Sequence, residues 1–299
     1  MNAPDAMSAP DADGSGARLF VALQYLLPQH LLSRLAHRIT RSRVPLVKNA
    51  LIRGFVDHFH PDMSEAEQPD PLRYETFNAL FTRALRAQAR PCDADPAALV
   101  SPVDGTVSQI GRLDGSWLVQ AKGHAYTLES LLAADLSWPP QFRGGAFATL
   151  YLAPFNYHRV HMPLRGVLRA AWYVPGQLFS VNAATTAGVP GLLARNERVV
   201  CVFGHEALTF AVVLVGALLV GSIATVWHGE VTPRPLRGCA DLPLDASRAA
   251  LTLDKGAELG RFNMGSTVIL LLPPGASEWL HGLAPGSSVR VGQALARLT

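Results

Sequence analysis

No aspartate or glutamate occurs between residues 18 and 53, yet Arg18, Arg34, Arg38, Arg41, Arg43, Lys48 and Arg53 all fall in that stretch. This one-sided charge is the sharpest compositional shift in the chain. Cysteine is scarce as well. The three present, Cys92, Cys201 and Cys239, are odd in number, widely spaced and never in a CxxC pair. That excludes a disulfide framework and a zinc site, and suits a reducing compartment such as the cytoplasm. Charge is thin elsewhere: 16% of the 299 residues are charged, and a net charge of +3 is too small to argue for a nucleic-acid partner. A secretory signal is also lacking, because Asp5, Asp11 and Asp13 precede the apolar run 19–27 and the basic residues come after it. The run is too short to span a bilayer.

Apolar material is plentiful. With 49% hydrophobic residues the chain can fill one large core or two modest ones. Residues 1–17 read as a flexible tail. Residues 18–98 read as a helical, basic region, in which helical spacing puts Leu31, Leu32, Leu35 and Ile39 on one side and Arg34, Arg38 and Arg41 on another. Such a helix either lies on anionic lipid or packs on the protein's own core. The complete lack of acidic residues favours lipid, so peripheral association with an anionic membrane is expected. Phe77, Leu80, Phe81 and Leu85 predict one further helix over residues 75–90.

Residues 99–299 read as a β-rich domain, with strands over 103–110, 116–120, 147–152, 166–173, 198–203, 266–272 and 289–298, and a pair within 210–227. The stretch 208–227 is uncharged for twenty residues and long enough for a membrane span. Its Val, Ile and Thr content, Gly216, Gly221 and the absence of basic flanks fit two buried strands joined at a glycine bend instead. The expected class is α+β, with N-terminal amphipathic helices packed on a mainly antiparallel β domain. The glycine rhythm of DGTVSQIG and VRVGQALARL adds lipoyl-like barrel features to that expectation.

Three segments carry candidate chemistry. Ser101-Pro102-Val103-Asp104-Gly105 is, by itself, a hairpin turn. Tyr157-His158-Arg159-Val160-His161-Met162-Pro163 holds two histidines three apart, which an extended segment sends to opposite faces; with no third ligand at a useful spacing, no metal is expected. Phe262-Asn263-Met264-Gly265-Ser266-Thr267 is a Gly-Ser step leading into a strand. Taken in this order, together with LQYLLP, TFNALF, AKGHAYTLESLL, YVPGQLFSVN, ARNERVV and VGSIATVW, they resemble the phosphatidylserine decarboxylase family over nearly the whole chain. Two departures stand out. Met264 replaces a leucine of similar volume, and Ala224 occupies a position where that family has a glutamate.

The resemblance implies a self-cutting proenzyme that breaks its Gly265–Ser266 bond, giving a β subunit (1–265) and an α subunit (266–299). It maps a nucleophile, its base and the carboxylate orienting that base onto Ser266, His161 and Asp104. Gly265 would allow the strained turn such an attack requires. Ser266 would end as a covalent pyruvoyl group, which forms a Schiff base with the amine of phosphatidylserine and accepts the electrons released with carbon dioxide. His158 is the candidate for protonating the former α-carbon. His124 reads as structural or as part of the site wall. The implied product is phosphatidylethanolamine, and the implied place is the cytoplasmic face of the cell membrane; a homo-oligomer of the αβ unit is compatible with this. Three alternatives compete. A pyruvoyl enzyme for a soluble amino acid would have little use for the basic segment, a serine hydrolase would keep Ser266 intact, and a lipoyl-like carrier would need a lysine at a hairpin tip, for which there is no signal.

Overall fold

The computed structural model describes residues 15–219, 222–232, 238–243 and 250–299, apart from the side chains of Ser15 and Ser266. Most of the expected tail, residues 1–14, therefore lies outside the described residues. Four helices come first: α1 (Ser15–Leu26), α2 (Gln29–Thr40), α3 (Pro45–Phe59) and α4 (Phe77–Phe81). Pro28 stands at the N-cap of α2, and α3 begins at Pro45, where a fixed φ and a missing N–H cost nothing.

Strands come next as β1 (Ala98–Val100), β2 (Gly105–Arg112), β3 (Trp117–Val119), β4 (Ala125–Thr127), β5 (Ala146–Leu152), β6 (Arg159–His161) and β7 (Gly166–Val174). Helices α5 (Leu128–Leu132) and α6 (Pro139–Phe142) interrupt them, and α7 (Ala183–Gly188) and α8 (Leu192–Arg195) precede β8 (Arg198–His205) and β9 (Leu208–Val215). Then come β10 (Ile223–Thr225), β11 (Gly229–Glu230), β12 (Ala240–Asp241), β13 (Thr252–Leu253) and β14 (Glu258–Phe262). The chain ends with β15 (Ser266–Leu272), β16 (Ser277–Trp279), β17 (Ser288–Val289) and β18 (Ala294–Leu298).

Among the described residues the main sheet has nine strands in the path β12-β7-β8-β9-β15-β5-β2-β17, with β13 also on β7. A four-stranded sheet, β11-β10-β14-β6, and a three-stranded one, β1-β18-β16, stand apart from it. The ladders between these strands are antiparallel. The chain is thus α+β, but no closed barrel forms among the described strands. The lipoyl-like barrel features are not seen among the described residues: DGTVSQIG leads into β2, while VRVGQALARL runs from β17, paired with β2 in the main sheet, to β18 in the three-stranded sheet, both sheets open.

The main sheet is buried on both faces. Leu150, Leu168, Val199, Val212, Leu214, Val268 and Leu270 point to one core; Phe147, Trp172, Val200, Val213, Ile269 and Leu271 point to the other. With both faces dry the alternation of a half-exposed strand disappears, which is why residues 208–215 read as an apolar run. The pair expected within 210–227 is β9 and β10, in separate sheets rather than one hairpin; residues 220 and 221 between them are outside the described residues. No described helix is long and apolar enough to cross a membrane.

The helix expected over 75–90 is corrected to the five residues of α4. Thr76 caps it by accepting from the Ala79 N–H at 3.0 Å. Beyond Phe81 the chain leaves the helix to pair with residues 65–67, through Glu67 N–H to Ala84 O and Arg86 N–H to Glu65 O, both 2.9 Å. Leu85, whose spacing extended the helical pattern, sits in that bridge opposite Ala66. Helix α3 buries Ile52 and Phe55 in the usual way, whereas α2 inverts the amphipathic arrangement. In α2 the buried residues are Gln29, Ser33 and Thr40, while Leu31, Leu35 and Ile39 stand about half exposed. Leu19, Leu26 and Leu46 are exposed too, at 62%, 80% and 82%.

Glu197, after α8, is buried and accepts from the Tyr173 hydroxyl at 3.1 Å. Burial pushes its carboxyl from 4.5 up to about 7. The folded chain therefore holds a proton there that the unfolded chain has lost, so stability falls as pH rises from about 4.5 through about 7. Glu197→Gln should flatten that fall and leave the variant more stable than the parent at pH 8, by at most about 3 kcal/mol. Denaturant melts between pH 5 and 8 test this; parallel curves for the two proteins would contradict it.

Candidate active site

The Gly265–Ser266 step lies at the head of β15. From Ser266 onward the chain is laddered to β5, Ser266 opposite Leu152, and from Thr267 also to β9. Upstream, the Phe262 N–H donates to His158 O at 3.0 Å, so the segment carrying the two histidines runs beside the Gly-Ser turn. The side chain of Ser266, the expected nucleophile, lies outside the described residues.

His158 is fully buried, with its ring 4.0 Å from that of Phe81. Its Nδ1 lies 2.8 Å from Asn156 O and must carry the proton, which leaves the lone pair on Nε2. Nε2 is buried and has no hydrogen-bond partner among the described residues. It lies 3.8 Å from the point where a Cβ on Gly265 would stand. Burial, with a smaller contribution from the nearby Arg83 cation, pushes the imidazole down to about 3, so it is neutral at ordinary pH.

His161 faces elsewhere, as three residues of extended chain require. Its Nδ1 donates to Gly256 O at 2.7 Å, and its Nε2 accepts from the Tyr157 hydroxyl at 3.0 Å. Burial holds its pKa below the usual imidazole value. The expected third member, Asp104, is buried and gripped by Arg90: Nε lies 2.8 and 3.0 Å from its two oxygens and Nη2 lies 2.5 Å from Oδ2. It also accepts from the Val291 N–H at 2.9 Å. The Asp104 turn reaches His161 through the backbone, where the His161 N–H donates to Pro102 O at 2.8 Å. No hydrogen bond joins the two side chains among the described residues. His158 is thus brought to the Gly-Ser step, while the Asp104 turn and His161 at the end of β6 are neighbours whose side chains have other partners.

Gly265 needs a correction. Its φ is not in the left-handed region, and a Cβ there would meet nothing closer than Leu152 O at 3.7 Å. In this resting geometry neither backbone conformation nor space demands a glycine: an added Cβ would make only ordinary van der Waals contact with Leu152 O and, at 3.8 Å, with His158 Nε2. His124 is half-buried, its Nε2 3.1 Å from Ala187 O, and it does not line the cavity beside Gly265. The described residues contain no group of three or more potential metal ligands.

Beside the step opens a cavity of about 540 Å³. Phe55, Phe59, Phe77, Phe81, Leu152 and Met264 line it, and Gly265 is part of the same lining. Sequence reasoning missed Arg90 as the clamp on Asp104, fourteen residues away, and Asn263, buried two residues before Gly265. Neither position carries a local signal, because Arg90 meets the turns at Glu65 and Asp104 while Asn263 meets Asn78, Ser222 and Glu230.

Comparison with known proteins agrees with this geometry. The family described as phosphatidylserine decarboxylase matches residues 77–297, and one described as PSD matches residues 19–60. Curated relatives called phosphatidylserine decarboxylase proenzyme include one from Azotobacter vinelandii, 53% identical over 278 residues, covering 93% of this chain and 97% of the relative. One from Stutzerimonas stutzeri is 53% identical, covering 93% and 94%, and one from Pseudomonas fluorescens is 54% identical, covering 93% and 96%. With matches of this extent and a histidine-flanked Gly-Ser step at the head of a buried strand, the chain belongs to the phosphatidylserine decarboxylase family.

Proposed function

We propose that this chain is a self-cutting decarboxylase of phosphatidylserine, producing phosphatidylethanolamine for phospholipid synthesis. The observation that carries the reading is the buried Nε2 of His158, beside Gly265 and without a hydrogen-bond partner among the described residues. A buried polar atom without a partner costs roughly 1–3 kcal/mol, and sites that keep one generally use it. Neutral, this Nε2 is an acceptor; once protonated it can donate to a carbonyl made at position 266. A pyruvoyl group at that position supplies an electrophilic carbonyl for the substrate amine and a sink for the electron pair left when carbon dioxide departs.

The remaining chemistry belongs to side chains. Ser266 is the nucleophile on the Gly265 carbonyl, His161 its base, and Asp104 the carboxylate that orders the loop behind His161. For His161 to act, its Nε2 exchanges the Tyr157 hydroxyl for that of Ser266. His158 then serves the decarboxylation. Its Nδ1 is committed to Asn156, so only Nε2 can handle a proton at the site. Burial keeps it neutral; an anionic substrate beside it favours the imidazolium and so creates the acid that the carbanion needs.

The cavity of aromatic and aliphatic side chains beside Gly265 suits an acyl chain rather than a soluble amino acid. The outward leucines of α1 to α3, flanked by Arg18, Arg34, Arg38 and Arg43, suit the surface of an anionic membrane. Three unpaired cysteines agree with its cytoplasmic face.

Ser266→Ala should remain one uncut chain. His161→Ala and Asp104→Ala should cut at least about 10²-fold more slowly, whereas His158→Ala should cut and then release no carbon dioxide. Electrophoresis and carbon dioxide release separate these outcomes, and an uncut His158→Ala chain would move the role of base to His158. Tyr157→Phe removes the competing hydroxyl and should cut at least as fast as the parent; slower cutting would make the phenol part of the proton path. Replacing Leu31, Leu35 and Ile39 together by serine removes roughly 1 kcal/mol of lipid contact per side chain. Binding to phosphatidylserine vesicles should fall on the order of 10²-fold with cutting unchanged. Unaltered flotation with vesicles would mean that this face does not meet lipid.

A further inference from the structure

Two residues upstream of the Gly-Ser step a polar network joins three parts of the chain. Its hub is the carboxylate of Glu230 in β11. Arg41, just past the end of α2, places Nη2 2.5 Å from Glu230 Oε1, and His37 within α2 places Nε2 3.1 Å from the same oxygen. The Ser222 hydroxyl donates to Oε1 as well. The side-chain amide of Asn263 donates to the Ser222 hydroxyl and reaches Glu230 at 3.4 Å. On its other side Asn263 Oδ1 accepts from Asn78 of α4 at 3.1 Å, and its N–H donates to Ser222 O at 2.9 Å. Asn263 and Ser222 are 5% and 1% exposed, so the turn entering Gly265 is held by buried hydrogen bonds.

Glu230 stands directly opposite Ala224 on the antiparallel β10–β11 ladder. Side chains so paired share a face, with Cβ atoms about 5 Å apart. Both residues line one cleft of about 440 Å³ together with Arg41 and Asn263. A carboxylate at either position could therefore reach the same hub. In this chain position 224 is alanine, and the carboxylate comes from 230.

We propose that Glu230 is a positioning residue for self-cutting: its carboxylate, supplied across the ladder from Ala224, locks α2 and Ser222 onto Asn263 and so sets the Gly265–Ser266 link in place. The inference rests on that link being the bond cut. A shift of about 1 Å in reacting groups can cost on the order of 10²-fold in rate. Glu230→Ala should thus cut at least about tenfold more slowly than the parent. The variant that separates positioning from general destabilisation is the double exchange, Ala224→Glu with Glu230→Ala, which moves the carboxylate back across the ladder and should restore the parental rate to within about threefold.

The time course of cutting in newly synthesised full-length chain, without lipid, is followed by electrophoresis, with a thermal melt of each variant. Parental cutting by Glu230→Ala overturns the proposal, as does a folded double exchange that cuts no faster than Glu230→Ala. If Glu230→Ala does not fold, the comparison is made with Glu230→Gln alone and combined with Ala224→Glu, with the same two overturning results. A parent chain that never cuts refutes the reading of the Gly-Ser step itself, an outcome distinct from either.

Discussion

Strand β15 is hydrogen-bonded along both edges, and everything else at the site takes its position from that. Seven of its residues pair with β5 and five with β9, and both of its faces are covered by apolar side chains. A strand so placed cannot slide by one residue without turning Val268 and Leu270 into the wrong core. Its first residue, Ser266, is therefore fixed against Leu152, while the chain before it is a turn of three residues. Movement at the Gly-Ser step is confined to that turn. Its geometry is decided by what grips Phe262, Asn263 and Met264: the His158 carbonyl, the Ser222–Glu230–Asn78 network and the aromatic cluster of α3 and α4.

The same ladders hold a cut chain together. The last 34 residues (299 − 265) comprise β15 to β18, which pair with β5, β9, β2 and β1 of the preceding part. Breaking the backbone at 265 removes none of these pairings, so a cut chain keeps its fold and holds its new terminus beside His158. Burial has a second effect there. The burial that stabilises the sheet also keeps the imidazole neutral, with Nε2 close to Gly265 at the strand head. Packing and proton chemistry are thus set by one environment.

Local pattern made much of this legible. Residues 266–272 form a strand with the expected bounds, and 198–203 and 147–152 are strands to within two residues, because β-branched and apolar runs bounded by turns need no distant information. The split of His158 from His161 came from the two-residue repeat of extended chain. Errors arose where a local pattern had two physical solutions. Leu85 kept a helical spacing yet was claimed by a bridge to Ala66, and the glycines of DGTVSQIG and VRVGQALARL belong to segments of open sheets rather than to a closed barrel. The leucines of α2 were correctly read as one face, but only the fold reveals that Gln29 and Ser33 hold the body of the protein through Leu178 and Leu219 N–H groups while the apolar face turns outward. Arg90 and Glu230 were invisible in sequence because their partners lie on other elements.

The central claim is that the chain breaks itself at 265 and converts residue 266 into a ketone that performs the decarboxylation. Intact mass spectrometry of purified, active protein tests it most directly. The account predicts two polypeptides, residues 1–265 and a 34-residue partner (299 − 265) whose first residue has lost its amine and carries a pyruvoyl group. A single unbroken chain that releases carbon dioxide from phosphatidylserine, or a small fragment beginning with an ordinary serine amine, would contradict it.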